Sequence, residues 1–438
     1  MSLLSRIRSL AFSLLVSPRL ARWRRGLRET RRRLAGRGHV ARAFLAIDDP
    51  YSYLLCRVLP ELERAFDIEL ERFVTDGGGE RDHPFRDQQA AYAIIDCRRV
   101  AAELGYPFLD RGQAPPVEHR HALAAMLAGA PGSEVDAALE SYWRGDAEAV
   151  RRRVAGGPGG DEALLGRNRD RLAALGHYAT ATVHYEGEWY QGLDRLPYLV
   201  DRFDALGLRR AGSRTPRVDA VREAARLALP VRPPALAREL PVLEVFFSFR
   251  SPYSYLALER VFAIADAFGI ELRLRPVLPM VQRGVPLSRA KLRYLLADAT
   301  REAGRLGIPF GRFADPLGAG VERLCAVFVY ARAERRARDF VRNAGQAVWA
   351  RGIDVATDAG LRKVTGRSGL FWPDVVAALG KDAWRAEVGE NREALTAAGG
   401  WGVPTFRLGE FVAWGQDRCW LLARHLEERC DTGEGILV

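Results

Sequence analysis

The residues best suited to chemistry follow an apolar stretch in the second half of the chain. Residues 245–249 (Val-Phe-Phe-Ser-Phe) predict a strand, and Ser251 and Pro252 have the types preferred at a helix N-cap and first helical position. Because unpaired N–H groups and the helix dipole converge at this end of a helix, the junction can hold a negative charge. Most Ser-Pro helix starts are caps and nothing more, so the motif needs a second signal.

Metal and disulfide chemistry find little support in the sequence. The five cysteines have no Cys-x-x-Cys spacing, and the seven histidines form one close pair, His119 and His121. The scattered cysteines favour a reducing compartment and argue against a dithiol redox site. We therefore expect a cytoplasmic protein without a metal centre.

The positive charge is concentrated at the N-terminus. The 438 residues carry a formal net charge of +11, and residues 1–43 contain twelve arginines and one acid, Glu29. The rest of the chain is therefore neutral, and a hydrophobic content of 48% with 28% charged residues is typical of a globular protein. A neutral body does not support a broad nucleic-acid-binding surface.

Residues 1–40 combine an apolar front with an arginine-rich run from Arg19 to Arg33. The apolar front is too short to cross a bilayer, and no clear cleavage site follows it. One interpretation is a frayed basic tail. The alternative is an amphipathic segment that makes peripheral contact with an anionic membrane, because each arginine near such a surface contributes about 1 kcal/mol.

The elements that must position Ser251 occur twice in the chain. Residues 43–54 predict the same strand and helix start, with Asp49 in place of the serine, and Pro50 precedes Pro252 by 202 residues. The same separation relates Tyr92 to Tyr294, Asp96 to Asp298, and Pro107 to Pro309. Towards the end of each copy, Asp194 matches Asp417 at a separation of 223 residues, so the second copy is longer through its middle. A register held over this length indicates an internal duplication.

Each copy predicts a strand, a helix and a second strand, then a long helical middle, then two short strands and a last helix. This order is typical of a thioredoxin-like fold. We predict an α/β protein with two such domains, each a central mixed sheet with an inserted helical subdomain, and a basic N-terminal helical tail. The predicted boundaries are 1–40 for the tail, 41–210 for the first domain, 211–240 for a linker and 241–438 for the second domain.

The second copy resembles the 2-hydroxychromene-2-carboxylate isomerases and the kappa-class glutathione transferases, which are related to DsbA-like thioredoxin-fold proteins. Four motifs in family order carry the resemblance: 249–255 (Phe-Arg-Ser-Pro-Tyr-Ser-Tyr), 291–294 (Lys-Leu-Arg-Tyr), 402–406 (Gly-Val-Pro-Thr-Phe) and 414–418 (Trp-Gly-Gln-Asp-Arg). They span nearly all of residues 241–430. The first copy resembles a diverged member of the same family.

The resemblance implies a glutathione site. Ser251 would contact the glutathione sulfur, where a hydroxyl at a helix N-terminus favours the thiolate. Val403 and Pro404 would be joined by a cis bond, which frees the Val403 backbone to pair with the cysteinyl unit. The other implied residues are Lys291 for a glutathione carboxylate, Gln416 and Asp417 for the γ-glutamyl ammonium, and Pro252, Tyr253, Tyr255 and Trp414 for the substrate pocket.

Two regions depart from the family pattern. Gln282-Arg283-Gly284 stands where relatives usually have an asparagine, which bears on glutathione affinity. In the first copy, Asp49, Gln89 and Ala181 stand where the second copy has Ser251, Lys291 and Pro404, and only Asp194 is kept. A carboxylate at position 49 would repel a thiolate, so we interpret residues 41–210 as a non-catalytic copy.

As the resemblance implies, we expect a glutathione-dependent isomerase that acts on a small aromatic-degradation intermediate by reversible addition of the thiolate. A kappa-type transferase that releases the glutathione adduct is one alternative. A non-catalytic binding module held at a membrane by its tail is another. No nucleic-acid partner is expected, and the oligomeric state is left open.

Overall fold

A computed structural model describes residues 12–13, 16–77, 84–109, 115–157, 159–231 and 241–431. The chain groups into two compact units. One, here the Ser251 unit, comprises Met1–Arg22, Leu227–Leu287 and Leu295–Val438. The other, the Asp49 unit, comprises Trp23–Arg226 and Ser288–Tyr294.

The sheet of the Asp49 unit has four strands. They are β1 (Val40–Leu45), β2 (Glu69–Val74), β3 (Thr182–Tyr185) and β4 (Glu188–Gln191). Their order is β2-β1-β3-β4, with β1 parallel to β2 and antiparallel to β3, and β3 antiparallel to β4. The parallel pair requires a crossover connection, and the helices Pro50–Cys56 and Leu59–Ala65 provide it.

The sheet of the Ser251 unit repeats this topology. Its strands are β5 (Leu243–Phe247), β6 (Leu272–Pro276), β7 (Thr405–Leu408) and β8 (Phe411–Trp414). The order is β6-β5-β7-β8, with the same parallel and antiparallel pairs. One helix, Pro252–Phe268, makes the crossover, and Gly269 ends it in the left-handed conformation that glycine adopts without cost.

The remaining helices lie mostly between the second and third strand of each sheet. In the first half of the chain they are Pro18–Leu34, Arg86–Glu103, Arg120–Leu127, Gly132–Trp143, Ala147–Gly156, Glu162–Ala174, Leu196–Ala205 and Pro216–Ala224. In the second half they are Arg289–Leu306, Ala319–Ala333, Ala337–Gln346, Asp358–Arg367, Trp372–Leu379, Ala383–Ala397 and Cys419–Asp431. The predicted fold class, α/β with two mixed sheets and helical insertions, is confirmed.

The same aromatic stack occurs within the helical insertion of both units. Phe108 stacks on Trp143 with ring centroids 5.7 Å apart, and Phe310 stacks on Trp349 at 5.5 Å. An asparagine fastens the insertion to the end of the second strand in each case. Its side-chain amide donates to the carbonyl of Val74 from Asn168 and to that of Pro276 from Asn391, at 2.9 and 3.0 Å.

The described part of the N-terminal segment is ordered, so the expectation of a frayed tail is wrong for these residues. Pro18–Leu34 is a helix, and Arg25 forms a two-pronged ion pair with Glu188 of β4 at 2.7 and 3.0 Å. Among the residues described, no helix has the length and apolarity needed to span a membrane.

Candidate functional site

Ser251 occupies the N-cap of the helix Pro252–Phe268, as predicted. Its Oγ accepts a hydrogen bond from the Ser254 amide at 3.1 Å, and Pro252 takes the first helical position. The same hydroxyl donates to the carbonyl of Val403 at 3.4 Å. The hydroxyl therefore joins the start of the first helix to the loop that precedes β7, and its proton points away from the helix.

The loop at 402–404 contains the predicted cis bond between Val403 and Pro404. Thr405, the first residue of β7, donates its hydroxyl to the carbonyl of Gly402 at 2.8 Å, and the Gly415 amide donates to the carbonyl of Pro404 at 2.9 Å. These contacts tie the loop to its own strand and to the turn after β8. Ser251, Val403 and Pro404 are therefore brought together, as the sequence predicted.

The turn after β8 carries Asp417, partly exposed, in a short 3-10 helix from Gln416 to Arg418. Gly415 precedes this helix with φ of +106°, a conformation that favours glycine. A Cβ at position 415 would lie 2.5 Å from the Asp417 carboxylate oxygen. Glycine is therefore required both for the backbone and for the position of the carboxylate.

Gln416 lies beneath the site and does not face it. The residue is 1% exposed, and both ends of its side chain are engaged. The Nε2 donates to Glu302 at 2.7 Å, and the Oε1 accepts from Arg260 at 3.2 Å, whose guanidinium also donates to the Gln416 carbonyl at 2.6 Å. We therefore assign the Gln416 side chain to positioning the turn, and not to direct contact with glutathione as the resemblance implied.

Two tryptophans line the loop at 402–404. Trp414, 37% exposed, packs so closely that a Cβ on Gly402 would stand 2.8 Å from its Nε1. Trp401 is buried, with its ring centroid 4.9 Å from that of Trp414. Met280 reaches the same place, since its methyl group would lie 3.5 Å from that Cβ. The predicted pocket residue Trp414 thus belongs to an apolar wall that also includes Trp401 and Met280.

Trp401 and Met280 were not predicted. Trp401 directly precedes the Gly-Val-Pro motif, so an aromatic residue beside that motif was a usable signal. The sequence held no such signal for Met280, because this residue approaches Gly402 from a different part of the chain, the 3-10 helix Met280–Arg283.

Tyr253 and Tyr255 are held by hydrogen bonds that recur in the other unit. The Tyr253 hydroxyl donates to Asp298 at 2.7 Å, and the Tyr255 hydroxyl donates to the carbonyl of Pro309 at 2.8 Å. Burial raises the pKa of Tyr255 to about 12. Tyr255 is buried and satisfied, so we assign it to packing, whereas Tyr253 stays only partly buried next to the serine.

Arg250, the residue before Ser251, does not supply a positive charge for a thiolate. Its guanidinium forms a two-pronged ion pair with Asp315 at 2.7 and 3.0 Å. The electrostatic support for an anion therefore comes from the helix start and the Ser251 hydroxyl.

Lys291 falls in the Asp49 unit, within the segment Ser288–Tyr294. Its amide is capped by the Ser288 hydroxyl at 3.1 Å, at the start of the helix Arg289–Leu306. Its ammonium lies 5.3 Å from the centroid of the Tyr178 ring, a cation–π distance. The structure thus groups Lys291 with the first-copy residues.

The loop that lacks the family's asparagine contains two unsatisfied buried polar atoms. The Gln282 Oε1 and the Arg283 Nε make no hydrogen bond with the described residues. Burial, with a contribution from Arg392, lowers the pKa of Arg283, and another of its nitrogens reaches the Trp401 carbonyl at 3.4 Å. The loop therefore places an arginine, in place of an amide, against the tryptophan wall.

The Asp49 site is filled by its own side chains. The Asp49 carboxylate accepts from the Tyr51 amide at 3.0 Å and from the hydroxyls of Ser52 and Thr180 at 3.0 and 2.8 Å. Burial raises the pKa of Asp49. Ala181, at the Pro404 position, has φ of +53°. The Asp49 side chain thus places acceptor oxygens where a thiolate would need a donor.

The cysteines offer no redox pair. None of the five forms a disulfide, and four of them are buried: Cys56, Cys97, Cys325 and Cys419. Burial raises the pKa of the Cys419 thiol. No cluster of three or more histidine, cysteine or acidic side chains suited to a metal ion occurs in the described part of the chain.

Comparison with known proteins finds a family match for the Ser251 copy and relatives of the chain. Residues 242–427 match the family described as DSBA-like thioredoxin domain. A 2-hydroxychromene-2-carboxylate isomerase of Pseudomonas putida is 29% identical over 197 residues, covering 43% of this chain and 96% of the relative. That of Sphingobium xenophagum is 28% identical over 192 residues, covering 42% of this chain and 97% of the relative.

A solved structure of a 2-hydroxychromene-2-carboxylate isomerase is 28% identical, with a TM-score of 0.39, and the alignment covers 44% of this chain and 97% of that one. The sequence similarity confirms the predicted resemblance and supports the predicted class of enzyme, an isomerase.

Proposed function

We propose that the Ser251 unit is a glutathione-dependent isomerase of the 2-hydroxychromene-2-carboxylate type. One observation carries the proposal: the Ser251 hydroxyl stands at the N-terminus of a 17-residue helix and reaches the backbone of Val403. A hydroxyl donor and a helix start together stabilise a thiolate, which is the reactive form of glutathione. The similarity to 2-hydroxychromene-2-carboxylate isomerases supports the reaction class.

The proposed chemistry is reversible addition. The thiolate forms a C–S bond to the conjugated system of the substrate, and the electron pair of the double bond moves onto the conjugated carbonyl. Rotation about the resulting single bond precedes the reverse step, in which the C–S bond breaks and the double bond returns. Glutathione is regenerated, and Ser251 donates its proton as a hydrogen bond to sulfur whenever the sulfur is anionic.

The binding residues have unequal support. We propose that Asp417, partly exposed on a turn fixed by Gly415, receives the γ-glutamyl ammonium. We propose that the Val403 backbone pairs with the cysteinyl unit and that Trp414 forms a wall for the aromatic substrate. Lys291 keeps its proposed role with a glutathione carboxylate on the family motif alone. We also propose a cytoplasmic location for the protein, since glutathione and cysteines outside disulfides belong to a reducing compartment.

Calorimetric titration with glutathione tests binding, and turnover of 2-hydroxychromene-2-carboxylate tests the reaction. Wild type should bind glutathione and equilibrate the substrate with its isomer, and Ser251→Ala should lose most of the turnover while remaining folded. Asp49→Ser is a matched control in the other copy and should leave both measurements unchanged. If wild type binds no glutathione, the proposal fails and the alternative of a binding module takes its place.

A kappa-type transferase is the second candidate, since the same thiolate site would serve both reactions. Product analysis separates the two. An isomerase returns all glutathione and yields an isomer of equal mass, whereas a transferase consumes glutathione and releases an adduct.

A further inference from the structure

The helix Pro18–Leu34 has one face that contacts the rest of the protein and another that is exposed. It contains eight arginines and one acid, Glu29. Residues spaced by three or four positions share a face of a helix. Arg25, Arg28 and Arg32 therefore lie on one side. Arg19, Trp23 and Leu34 lie on the opposite side, and Arg22, Arg24 and Arg31 lie at the flanks between the two.

The first set of arginines, here called the inner face, makes ion pairs and hydrogen bonds with other residues of the protein. Arg25 pairs with Glu188, and Arg28 donates to the carbonyls of Glu186 and Gly187 at 3.1 and 3.0 Å. Arg32 pairs with Glu29 at 2.7 Å and is buried. Arg25 and Arg28 hold the helix against the β3–β4 turn, and Arg32 is held within its own helix.

The rest of the helix surface, meaning the opposite side and its flanks, is here called the outer face, and it keeps its charge. The guanidinium groups of Arg19, Arg22, Arg24 and Arg31 make no hydrogen bond or ion pair with the residues that the structure describes. Arg19, Arg22 and Arg31 are exposed. Of the arginines turned outward, Arg33 is paired, with Glu29 at 2.8 Å.

The outer face also exposes apolar side chains. Trp23 is 64% exposed and Leu34 is 84% exposed. By contrast, two described residues of the apolar front are used inside the Ser251 unit: Phe12 lies 4.8 Å from the ring of Phe313, and Val16 is buried. The membrane contact expected from the sequence therefore cannot rest on these two residues, and the outer face is the surface left for it.

We propose that the outer face of the helix Pro18–Leu34 binds the surface of an anionic phospholipid membrane. An interfacial helix needs cationic side chains to meet lipid phosphates and an aromatic residue at the headgroup level, and the outer face supplies both. Because its apolar area is small, binding should be electrostatic, weak and reversible. The protein would attach peripherally and leave when salt screens the charges.

Charge complementarity alone would also admit nucleic acid, but the apolar residues favour lipid. Trp23 and Leu34 lie among the free arginines, and burying them in a headgroup layer removes apolar surface from water. The body of the protein is neutral, so it adds no basic surface along which a nucleic acid could continue.

Co-sedimentation of the full chain with vesicles tests the proposal. Binding is expected to vesicles of phosphatidylglycerol and phosphatidylcholine, to fall with added salt, and to be absent with phosphatidylcholine alone. Arg19→Ala with Arg22→Ala should lower the partition coefficient roughly five-fold per arginine removed. Brominated lipid should quench part of the tryptophan emission in wild type, and Trp23→Phe should abolish that part.

The control removes the same charge from two exposed arginines elsewhere, Arg312→Ala with Arg367→Ala. If this control loses as much binding as the outer-face variant, net charge and not the helix is responsible, and the proposal is overturned. It is also overturned if wild type ignores anionic vesicles, or if the outer-face arginines prove necessary for binding duplex or single-stranded nucleic acid and not for vesicles. Glutathione binding should be equal in all these variants, which separates this test from that of the enzyme.

Discussion

The Ser251 and Asp49 copies share a scaffold and differ at the position where chemistry would occur. Tyr51 donates to Asp96 at 2.8 Å as Tyr253 donates to Asp298 at 2.7 Å. In each copy a serine hydroxyl in the first helix also accepts from a backbone amide just after the first strand, at 3.1 and 3.3 Å. Contacts present in both copies belong to the fold, and they cannot explain a function proposed for one copy only.

The copies differ in whether the side chain at the helix start has hydrogen-bonding capacity left for a ligand. Asp49 satisfies its own site with three donors, two of them hydroxyls, and the third is the amide of Tyr51. Ser251 uses one amide and directs its proton to a backbone carbonyl, a weak 3.4 Å contact that a thiolate could displace. The Asp49 copy thus carries an internal substitute for a ligand, and the Ser251 copy, proposed to be active, does not.

The largest expected effect comes from converting one copy towards the other. Ser251→Asp should lower kcat/KM by at least roughly 10²-fold, because it removes the donor to sulfur and adds a negative charge beside the thiolate. Steady-state turnover and circular dichroism check this. The result would contradict the comparison if Ser251→Asp kept its activity, or if Asp49→Ser reduced activity as strongly.

The second effect concerns the acid that both copies keep. Asp417→Asn should raise KM for glutathione by about 10-fold, because a charge-assisted hydrogen bond to the ammonium contributes about 1.5–3 kcal/mol, and kcat should change less. Asp194→Asn is the matched change in the first copy, on a turn with the same 3-10 helix from Leu193 to Arg195. Equal KM in Asp417→Asn and wild type would remove Asp417 from the site.

The repeated order of strands and helices could be predicted from sequence because it depends on fixed points that occur in both halves: the helix-start proline, the tyrosines after it and the Gly-x-Asp-Arg turn. The Ser251 cap and the loop at 402–404 followed from motifs for the same reason. What could not be predicted depends on distant pairs. Gln416 has the type of a ligand-binding residue, and only the buried positions of Arg260 and Glu302 reveal that it is a core residue.

The apolar contacts of Met280 and Trp401 could not be predicted from the sequence either. Their approach to Gly402 depends on how the 3-10 helix Met280–Arg283 lies against a loop more than a hundred residues away. No periodicity or spacing records such a contact. A helical N-terminal segment was predicted, but the docking of the helix Pro18–Leu34 was similarly hidden, because it depends on Glu188 and on the carbonyls of Glu186 and Gly187 in a short hairpin.

The third effect is on stability, and it sharpens the assignment of Gln416. Gln416→Leu introduces the residue type that the first copy has at Leu193. It leaves Glu302 and Arg260 buried without one of their partners, so the free energy of unfolding should fall by about 1–3 kcal/mol. Urea denaturation measures the loss. A direct ligand role would instead raise KM for glutathione while leaving stability unchanged.

The smallest expected effect is a pH dependence of stability in the Asp49 copy. Burial raises the pKa of Asp49 above its ordinary value of 3.8, so the folded protein favours the protonated carboxyl, and stability falls as pH rises through the folded pKa. Asp49→Asn cannot ionise, and its amide can still pair with Ser52 and Thr180 because hydroxyls both donate and accept. The variant should therefore be more stable than wild type at neutral pH, with the difference shrinking as pH falls towards 3.8.

Denaturation midpoints of variant and wild type, measured at several pH values, check this prediction. If the variant is instead less stable than wild type at neutral pH, and this deficit shrinks at acidic pH, Asp49 holds its helix start as a charged cap. Ser251→Ala is the matched change in the other copy and should show no such pH dependence, since a serine hydroxyl does not titrate in this range.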